Sequence, residues 1–240
     1  MKITAISDLH GYKPKLPGGD LLLLCGDYTA WDKISEWVEF FEWLKRQSYT
    51  KKILIAGNHD RLLESGLPKS QKEADELKEV QSFLRELDEL EEPDFEYLCD
   101  SGTEFEGLKI WGSPWTNLFD GVNPDCTAFM SHEIVLSDKF GAIPEGLDIL
   151  MTHSPPYAIL DDSHNKRRCG SASLRRNVFR AKPRYHFFGH IHECGGQSFI
   201  DQEDAISFYN VSYCDRRYKP RPEILNLDIQ FKGSSNDKTS

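Results

Sequence analysis

Short apolar runs recur along the chain, and each of them ends in polar residues. Continuous apolar runs of four to eight residues are typical of strands buried on both faces of a sheet. Five such runs predict strands within 2–8, 20–27, 51–60, 147–154 and 184–192.

Segments with helical spacing of apolar residues lie between these runs and predict helices within 31–47 and 71–90. The apolar positions are Ile34, Val38, Phe41 and Leu44 in the first segment, and Leu77, Val80, Leu84 and Leu87 in the second. Strands that alternate with helices predict βαβ units and an α/β fold. The later runs at 206–212 and 223–229 have no helical segment between them, which predicts added antiparallel strands.

Neither an internal repeat nor a linker interrupts the sequence, so we predict one domain over 1–231. A length of 240 residues suits one large domain or two small ones. The polar tail at 232–240 is typical of a disordered segment.

Charge limits the classes of partner. The formal net charge of -10 argues against a general nucleic-acid binder, whose affinity comes mainly from basic surface. The stretch 166–184 nevertheless carries eight basic residues and no acidic one. It is either a solvated helix face or a positive rim that attracts an anionic substrate.

The chain gives no sign of export or of membrane insertion. Its N-terminus begins directly with a strand-like segment, and no apolar run is long enough to span a bilayer. The six cysteines are scattered, which is typical of reduced packing thiols. We therefore expect a cytoplasmic protein, and the sequence leaves its oligomeric state open.

Polar residues that can bind metal follow each of the five apolar runs. They are Asp8 and His10, Asp27, Asn58 with His59 and Asp60, His153, and His190 with His192. Ligands of open α/β sheets gather at the carboxyl ends of strands. Any one of these residues alone would more often be a turn or cap residue. Five segments that bring Asp, Asn and His to one edge indicate a metal centre instead.

The donor types indicate catalytic chemistry. The set contains no cysteine, which disfavours a structural zinc site. Carboxylate, amide oxygen and imidazole suit manganese, iron, zinc or nickel. Seven of these donors fit two ions that share a carboxylate, and such pairs, about 3.5–4 Å apart, generate a metal hydroxide nucleophile.

These motifs resemble those of calcineurin-like metallophosphoesterases in order and spacing: "DLH" (8–10), "GD" (26–27), "GNHD" (57–60), "TH" (152–153) and "GHIH" (189–192). The resemblance implies a four-layer αββα sandwich and two divalent ions, with manganese favoured. It implies that Asp8, His10 and His192 bind one ion. It implies that Asn58, His153 and His190 bind the other and that Asp27 bridges them. His59 would contact the phosphoryl oxygens and protonate the leaving group, and Asp60 would orient His59.

Within this family, the segments 109–115, 168–174 and 183–196 resemble the small metallophosphoesterase-domain proteins related to a fetal-brain protein. That branch contains cyclic-nucleotide phosphodiesterases of low selectivity. Some of its vertebrate members have glycine where this chain has His190, and they are weak enzymes. The "GNHD" form and the missing N-terminal extension are departures that leave the substrate open.

We therefore expect a phosphodiesterase that acts on cyclic or other small nucleotides by attack of a metal-bound hydroxide. The alternatives are a phosphomonoesterase, a nucleic-acid end-processing phosphatase or nuclease, and a non-catalytic scaffold. Asn58, His59, Trp115, Asn117 and Arg168 are candidate substrate-binding residues. An aromatic ring can stack on a base, and an arginine can bind a phosphate oxygen.

His190 and His192 are separated by one residue, and each could reach a different ion if the backbone turns tightly before them. We expect Gly189 to permit that turn.

Overall fold

The structure is a computed structural model that describes residues 1–64, 95–119 and 126–229. The predicted helix at 71–90 and the predicted disordered tail lie outside these ranges. The strands are β1 Lys2–Ile6, β2 Gly19–Cys25, β3 Tyr49–Ile55, β4 Phe95–Tyr97, β5 Ser101–Phe105, β6 Leu108–Ser113, β7 Thr116–Asn117, β8 Met130–Ser131, β9 Ile149–Thr152, β10 Tyr185–Phe188, β11 Ser198–Asp201, β12 Ile206–Asn210 and β13 Leu225–Asp228. The helices are α1 Ile34–Lys45, α2 Glu133–Gly141 and α3 Ala172–Ala181, with short 3₁₀ turns at Arg61–Leu63 and His192–Cys194.

The first large sheet has the strand order β13-β1-β2-β3-β4. Strands β1 to β4 run parallel, so their carboxyl ends lie at one edge. Strand β13 pairs antiparallel with β1, as the sequence predicts for the run at 223–229.

The second large sheet has the order β11-β12-β10-β9-β6-β5. Strand β12 corrects the prediction for the run at 206–212, because it runs parallel to β10 and antiparallel only to β11. Strands β6, β9 and β10 are also parallel to one another, which places the ends of β9 and β10 at the same edge. The β5–β6 hairpin is an element that the apolar runs did not predict.

The two sheets pack face to face. Their shared core contains Ile3, Leu23 and Ile53 from the first sheet and Ile149 and Phe187 from the second. Helix α1 covers the outer face of the first sheet, and α2 and α3 cover the outer face of the second. This arrangement confirms the predicted αββα sandwich. The domain boundary at 231 stays a prediction.

Helix α1 buries Phe41 and Leu44 as the spacing predicts, and it also buries three aromatic residues that the predicted stripe did not include. Its buried residues are Trp37, Phe40, Phe41, Trp43 and Leu44, whereas Val38 is exposed. The large aromatic side chains occupy the contact with the sheet, where they bury more apolar surface than valine would.

Candidate metal centre

The loops after β1, β2, β3, β9 and β10 meet at one edge of the sandwich. Four donors predicted there have left-handed backbone conformations: Asp8 (φ 55°), His10 (φ 42°), Asp27 (φ 60°) and His190 (φ 67°). Residues other than glycine rarely adopt positive φ, and such strain concentrates at functional sites. The fold therefore holds these side chains in orientations that ordinary turns would not give.

Asp8, His10 and His192 form the first cluster. The Nε2 atom of His192 lies 3.1 Å from Oδ1 of Asp8 and 3.2 Å from Nε2 of His10. The Asp8 carboxylate also accepts a hydrogen bond from the backbone N–H of His190, at 3.0 Å. This contact ties the β1 loop of the first sheet to the β10 loop of the second.

Asn58, His153 and His190 form the second cluster. Oδ1 of Asn58 lies 3.0 Å from Nε2 of His153 and 2.9 Å from Nδ1 of His190. The Asn58 amide nitrogen donates to the backbone carbonyl of Cys126, which fixes the amide with its oxygen toward the histidines.

Asp27 lies between the two clusters. Its Oδ2 is 3.4 Å from Nε2 of His153 in the second cluster and 3.9 Å from Nε2 of His10 in the first. The same oxygen is 4.0 Å from Nε2 of His59. One carboxylate that faces both groups has the position that a bridging ligand requires.

The hydrogen bonds of two histidines show that this edge fits metal cations. Nδ1 of His153 donates to the Cys25 carbonyl at 2.8 Å, and Nδ1 of His192 donates to the Asp215 carbonyl at 3.1 Å. In a neutral ring the Nε2 lone pair then points at another acceptor, Oδ1 of Asn58 or of Asp8. Either a second proton or a metal ion must separate these lone pairs. A backbone carbonyl that fixes the ring tautomer is also typical of metal-ligating histidines.

The pKa values express the same attraction for positive charge. Burial opposes protonation of His153, but Asp27 outweighs it and raises the His153 pKa to about 9. Burial also opposes protonation of His192, and Asp8 raises the His192 pKa. Burial raises the pKa of Asp8, yet His192 outweighs it and holds that pKa well below its usual range.

The other two predicted ligand histidines favour the neutral form, which metal binding requires. Burial lowers the pKa of His10 to about 4 and that of His190 to about 3.

At three glycines, donor side chains occupy the space where a Cβ would stand. A Cβ at Gly189 would collide with Oδ2 of Asp8, and one at Gly57 would collide with Oδ1 of Asp27. A Cβ at Gly26 would lie 2.7 Å from Nδ1 of His153. The expectation for Gly189 needs correction, because the left-handed residue of that turn is His190. Gly189 is needed for its missing side chain.

His59 reaches the cluster from the β3 loop. Its ring packs edge-on against His10 with 4.7 Å between centroids, and its backbone N–H donates to Oδ1 of Asp27. Its Nδ1 lies 3.4 Å from Sγ of Cys126. The ring is partly exposed, whereas Asp8 and Asp27 are buried beneath it.

The contacts of Asp60 differ from the expected ones. Its buried carboxylate accepts hydrogen bonds from the backbone N–H groups of Asp27, Tyr28 and Gly57, at 2.7–3.1 Å. Among the described residues it thus holds the backbone of the Asp27 loop, while Cys126 and His10 contact the His59 ring. Burial, with Asp27 adding to it, raises the Asp60 pKa well above its usual value.

Three candidate substrate-binding residues have other partners in the structure. Arg168 pairs with Oδ1 of Asp161 at 2.8 Å and with Oδ2 of Asp162 at 3.1 Å. Trp115 donates its indole N–H to Asp100 and lies beneath the ammonium of Lys139. Asn117 donates to the Cys169 carbonyl at 3.4 Å.

Most basic side chains of the stretch 166–184 also have partners within the protein. Lys182 and Arg184 pair with Asp204 and Asp148, and Arg180 binds backbone carbonyls that follow α2. These contacts favour the solvated helix face over the positive rim.

Sequence reasoning missed residues whose role depends on tertiary contact. Asp215 and Arg221 hold His192, Cys126 contacts His59 and Asn58, and Tyr218 packs on His10 and His192. They lie outside the recognisable motifs. The run "SYCDRRYKPR" (212–221) offered only a dense group of basic and aromatic residues just after a strand.

A mixed αββα sandwich with carboxylates and imidazoles at one edge has the architecture of a metal-dependent phosphoester hydrolase. The chain belongs to the calcineurin-like phosphoesterase family, whose model matches residues 1–194. Membership implies a phosphoester hydrolase that binds divalent metal.

Relatives and solved structures agree with this assignment. Human metallophosphoesterase domain-containing protein 1 is 33% identical over 95% of this chain and 71% of its own length. A UPF0046 protein of Caenorhabditis elegans is 32% identical over 95% of this chain and 81% of its own. The crystal structure of a Thermus thermophilus protein has a TM-score of 0.58 at 16% identity and covers 95% of this chain and 99% of its own. At that identity the likeness shows the fold alone.

Among residues 1–64, 95–119 and 126–229, no helix has the length and apolar character needed to cross a membrane.

Proposed function

We propose that this protein is a dinuclear metal-dependent phosphodiesterase that hydrolyses cyclic or other small nucleotide phosphodiesters. The observation that carries the proposal is the pair of donor clusters with the Asp27 carboxylate between them. Asp8, His10 and His192 would hold one ion, and Asn58, His153 and His190 the other. The full donor set disfavours a non-catalytic scaffold.

Two bound divalent ions would supply an activated water and neutralise charge on the phosphoryl oxygens. The protein's own part is to aim and fix the donors. The carbonyls of Cys25 and Asp215 set the tautomers of His153 and His192, and Cys126 orients the Asn58 amide. Asp60 holds the backbone of the loops after β2 and β3, at Asp27 and at Gly57.

His59 is placed to serve the leaving group. Its Nε2 lies on the Asp27 side of the cluster, and its ring is partly exposed. A protonated imidazole there would donate to the oxygen that departs from phosphorus, and general acid help of this kind is worth roughly 10²–10⁴-fold.

Charge supports a small substrate over a nucleic acid. The net charge is -10, and much of the basic stretch 166–184 is engaged by acidic side chains or backbone carbonyls of the chain itself. A duplex binder needs many free cations along its contact surface.

Asp27→Asn tests the proposal. The variant should lose at least about 10²-fold of the diesterase activity, because an amide bridges two cations poorly. The assay uses bis-p-nitrophenyl phosphate and a cyclic nucleotide with added Mn²⁺. The wild type should lose all activity when a chelator replaces the metal.

Asp228→Asn, on the exposed end of β13, is the matched control and should behave as wild type. Wild-type hydrolysis of p-nitrophenyl phosphate in preference to the bis ester would show a monoesterase instead. Full activity of Asp27→Asn at equal metal would contradict the bridging role.

A further inference from the structure

A strap at Tyr213–Arg221 packs against the first cluster. The Asp215 carbonyl accepts from His192 Nδ1, and Arg221 donates to the His192 carbonyl at 2.6 Å. An isolated β-bridge between Cys214 and Pro220 closes the strap at its base. The strap is therefore anchored directly to a predicted metal ligand.

Several hydrogen bonds hold the tip of the strap. The Asp215 side chain accepts hydrogen bonds from the backbone N–H groups of Arg217 and Lys219, at 2.8 and 2.9 Å. Tyr218, between them, has φ 56°, a left-handed conformation that is unusual for a bulky residue. The Tyr12 hydroxyl donates to the Tyr218 carbonyl at 3.2 Å and holds the tip from the β1 side.

This geometry packs the Tyr218 ring edge-to-face against two of the donor histidines. Its centroid lies 4.8 Å from that of His10 and 5.2 Å from that of His192, with interplanar angles of 80° and 79°. The residue is still 47% exposed. An aromatic surface thus stands open to solvent directly beside two predicted metal ligands.

We propose that Tyr218 contacts the substrate and gives the site a preference for phosphodiesters that carry a planar aromatic group, such as a nucleobase. This inference rests on the proposed function, because it assumes that the phosphate lies on the donor clusters. The group that stays on that phosphate after hydrolysis then meets the exposed part of the Tyr218 ring. Stacking of a base on an aromatic side chain strengthens binding by about 10-fold.

The neighbours of Tyr218 suit an anionic ligand. Arg216, Arg217 and Lys219 are all exposed, and each lies within two residues of Tyr218. Positive charge at the mouth of a cleft raises the local concentration of anions. The strap is therefore a better candidate for a basic rim than the stretch 166–184.

Two diesters with the same leaving group test the preference. Methyl p-nitrophenyl phosphate and phenyl p-nitrophenyl phosphate both release p-nitrophenolate, so only the retained group differs. Tyr218→Leu should lower kcat/KM for the phenyl ester about 10-fold more than for the methyl ester, whereas Tyr218→Phe should keep the wild-type ratio. Phe199→Leu, which removes a similarly exposed ring from the edge strand β11, is the control and should leave the ratio unchanged.

Equal losses on both esters would overturn the inference, because they would show that the ring only supports His10 and His192. Absence of Mn²⁺-dependent hydrolysis of either ester by the wild type would contradict the proposed function instead.

A binding measurement tests the inference without turnover. Calorimetry on the Mn²⁺-loaded protein should show that wild type and Tyr218→Phe bind phenyl phosphate more tightly than methyl phosphate. Tyr218→Leu should bind the two alike while it retains the wild-type number of bound ions. Equal binding of the two phosphates by the wild type would overturn the inference.

Discussion

At the scale of single residues, the site depends on which histidine nitrogen carries the proton. Two rings donate through Nδ1 to backbone carbonyls, of Cys25 and Asp215, and so present Nε2 inward. His59 differs from them, since its Nδ1 faces the Cys126 thiol. This contact distinguishes His59 from His153 and His192 among the histidines of the site.

His59→Gln should hydrolyse a nucleotide diester far more slowly than wild type, by about 10²–10⁴-fold. The loss should shrink for a p-nitrophenyl ester, because that leaving group needs little protonation. The measurement is kcat/KM for both substrates, with metal content determined on the same samples.

Equal losses on both substrates would show that His59 mainly stabilises the phosphoryl oxygens. Loss of a bound ion in the variant would show that His59 is a metal ligand, which its place near His10 and Asp27 allows geometrically.

Residue types at strand ends were predictable from the sequence, but their partners were not. Asp60 was expected beside the His59 ring, yet it binds backbone N–H groups of the β2 and β3 loops. Tyr218 could not be assigned to the site, because its neighbours His10 and His192 are remote in sequence. Contacts of this kind arise from the packing of loops and leave no periodic pattern.

At the scale of elements, the strand-end loops pack so closely that donor side chains lie directly against the backbone of a neighbouring loop. Gly189 has the Asp8 carboxylate where a side chain would begin. The carboxyl ends of parallel strands and their apolar runs were predictable, and this is why five of the strands were found. The β5–β6 hairpin and the further buried aromatic residues of α1 were not, because they are set by what the rest of the fold leaves to be covered.

Gly189→Ala should displace the Asp8 carboxylate and weaken the first cluster. We expect the variant to bind fewer ions than wild type, as counted by metal analysis after dialysis, and to lose most of its diesterase activity. Gly141→Ala is the matched control, because a Cβ there meets no atom within 4 Å. A Gly189→Ala protein that retains the full metal content would show that Asp8 can move and still bind its ion.

At the scale of the whole molecule, stability depends on a histidine outside the site. His186 is buried in β10, where its Nε2 contacts the Thr152 hydroxyl at 2.8 Å and its Nδ1 has no hydrogen-bond partner among the described residues. Burial lowers its pKa from 6.5 to about 3. Between these two values the unfolded chain binds a proton that the folded chain does not. This contribution to stability is therefore fully present above pH 6.5 and is lost as the pH falls toward 3.

His186→Gln should reduce the acid sensitivity of the metal-free protein. From pH 8 to pH 5 the wild type should lose about 2 kcal/mol more of its unfolding free energy than the variant does. Urea unfolding at both pH values, with a chelator present, measures the difference. The comparison at pH 8 reports any packing cost of the substitution, since the histidine is then neutral in both states. Parallel pH curves for the two proteins would contradict a neutral buried His186.

Strand β1 also has a consequence for the order of assembly during synthesis. It lies between β2 and β13, and Lys2 is paired with Asp228. One edge of β1 therefore stays unpaired until nearly all of the described chain has left the ribosome. Open strand edges on incomplete chains recruit other chains, so we expect newly made molecules to be at greatest risk of aggregation just before β13 emerges.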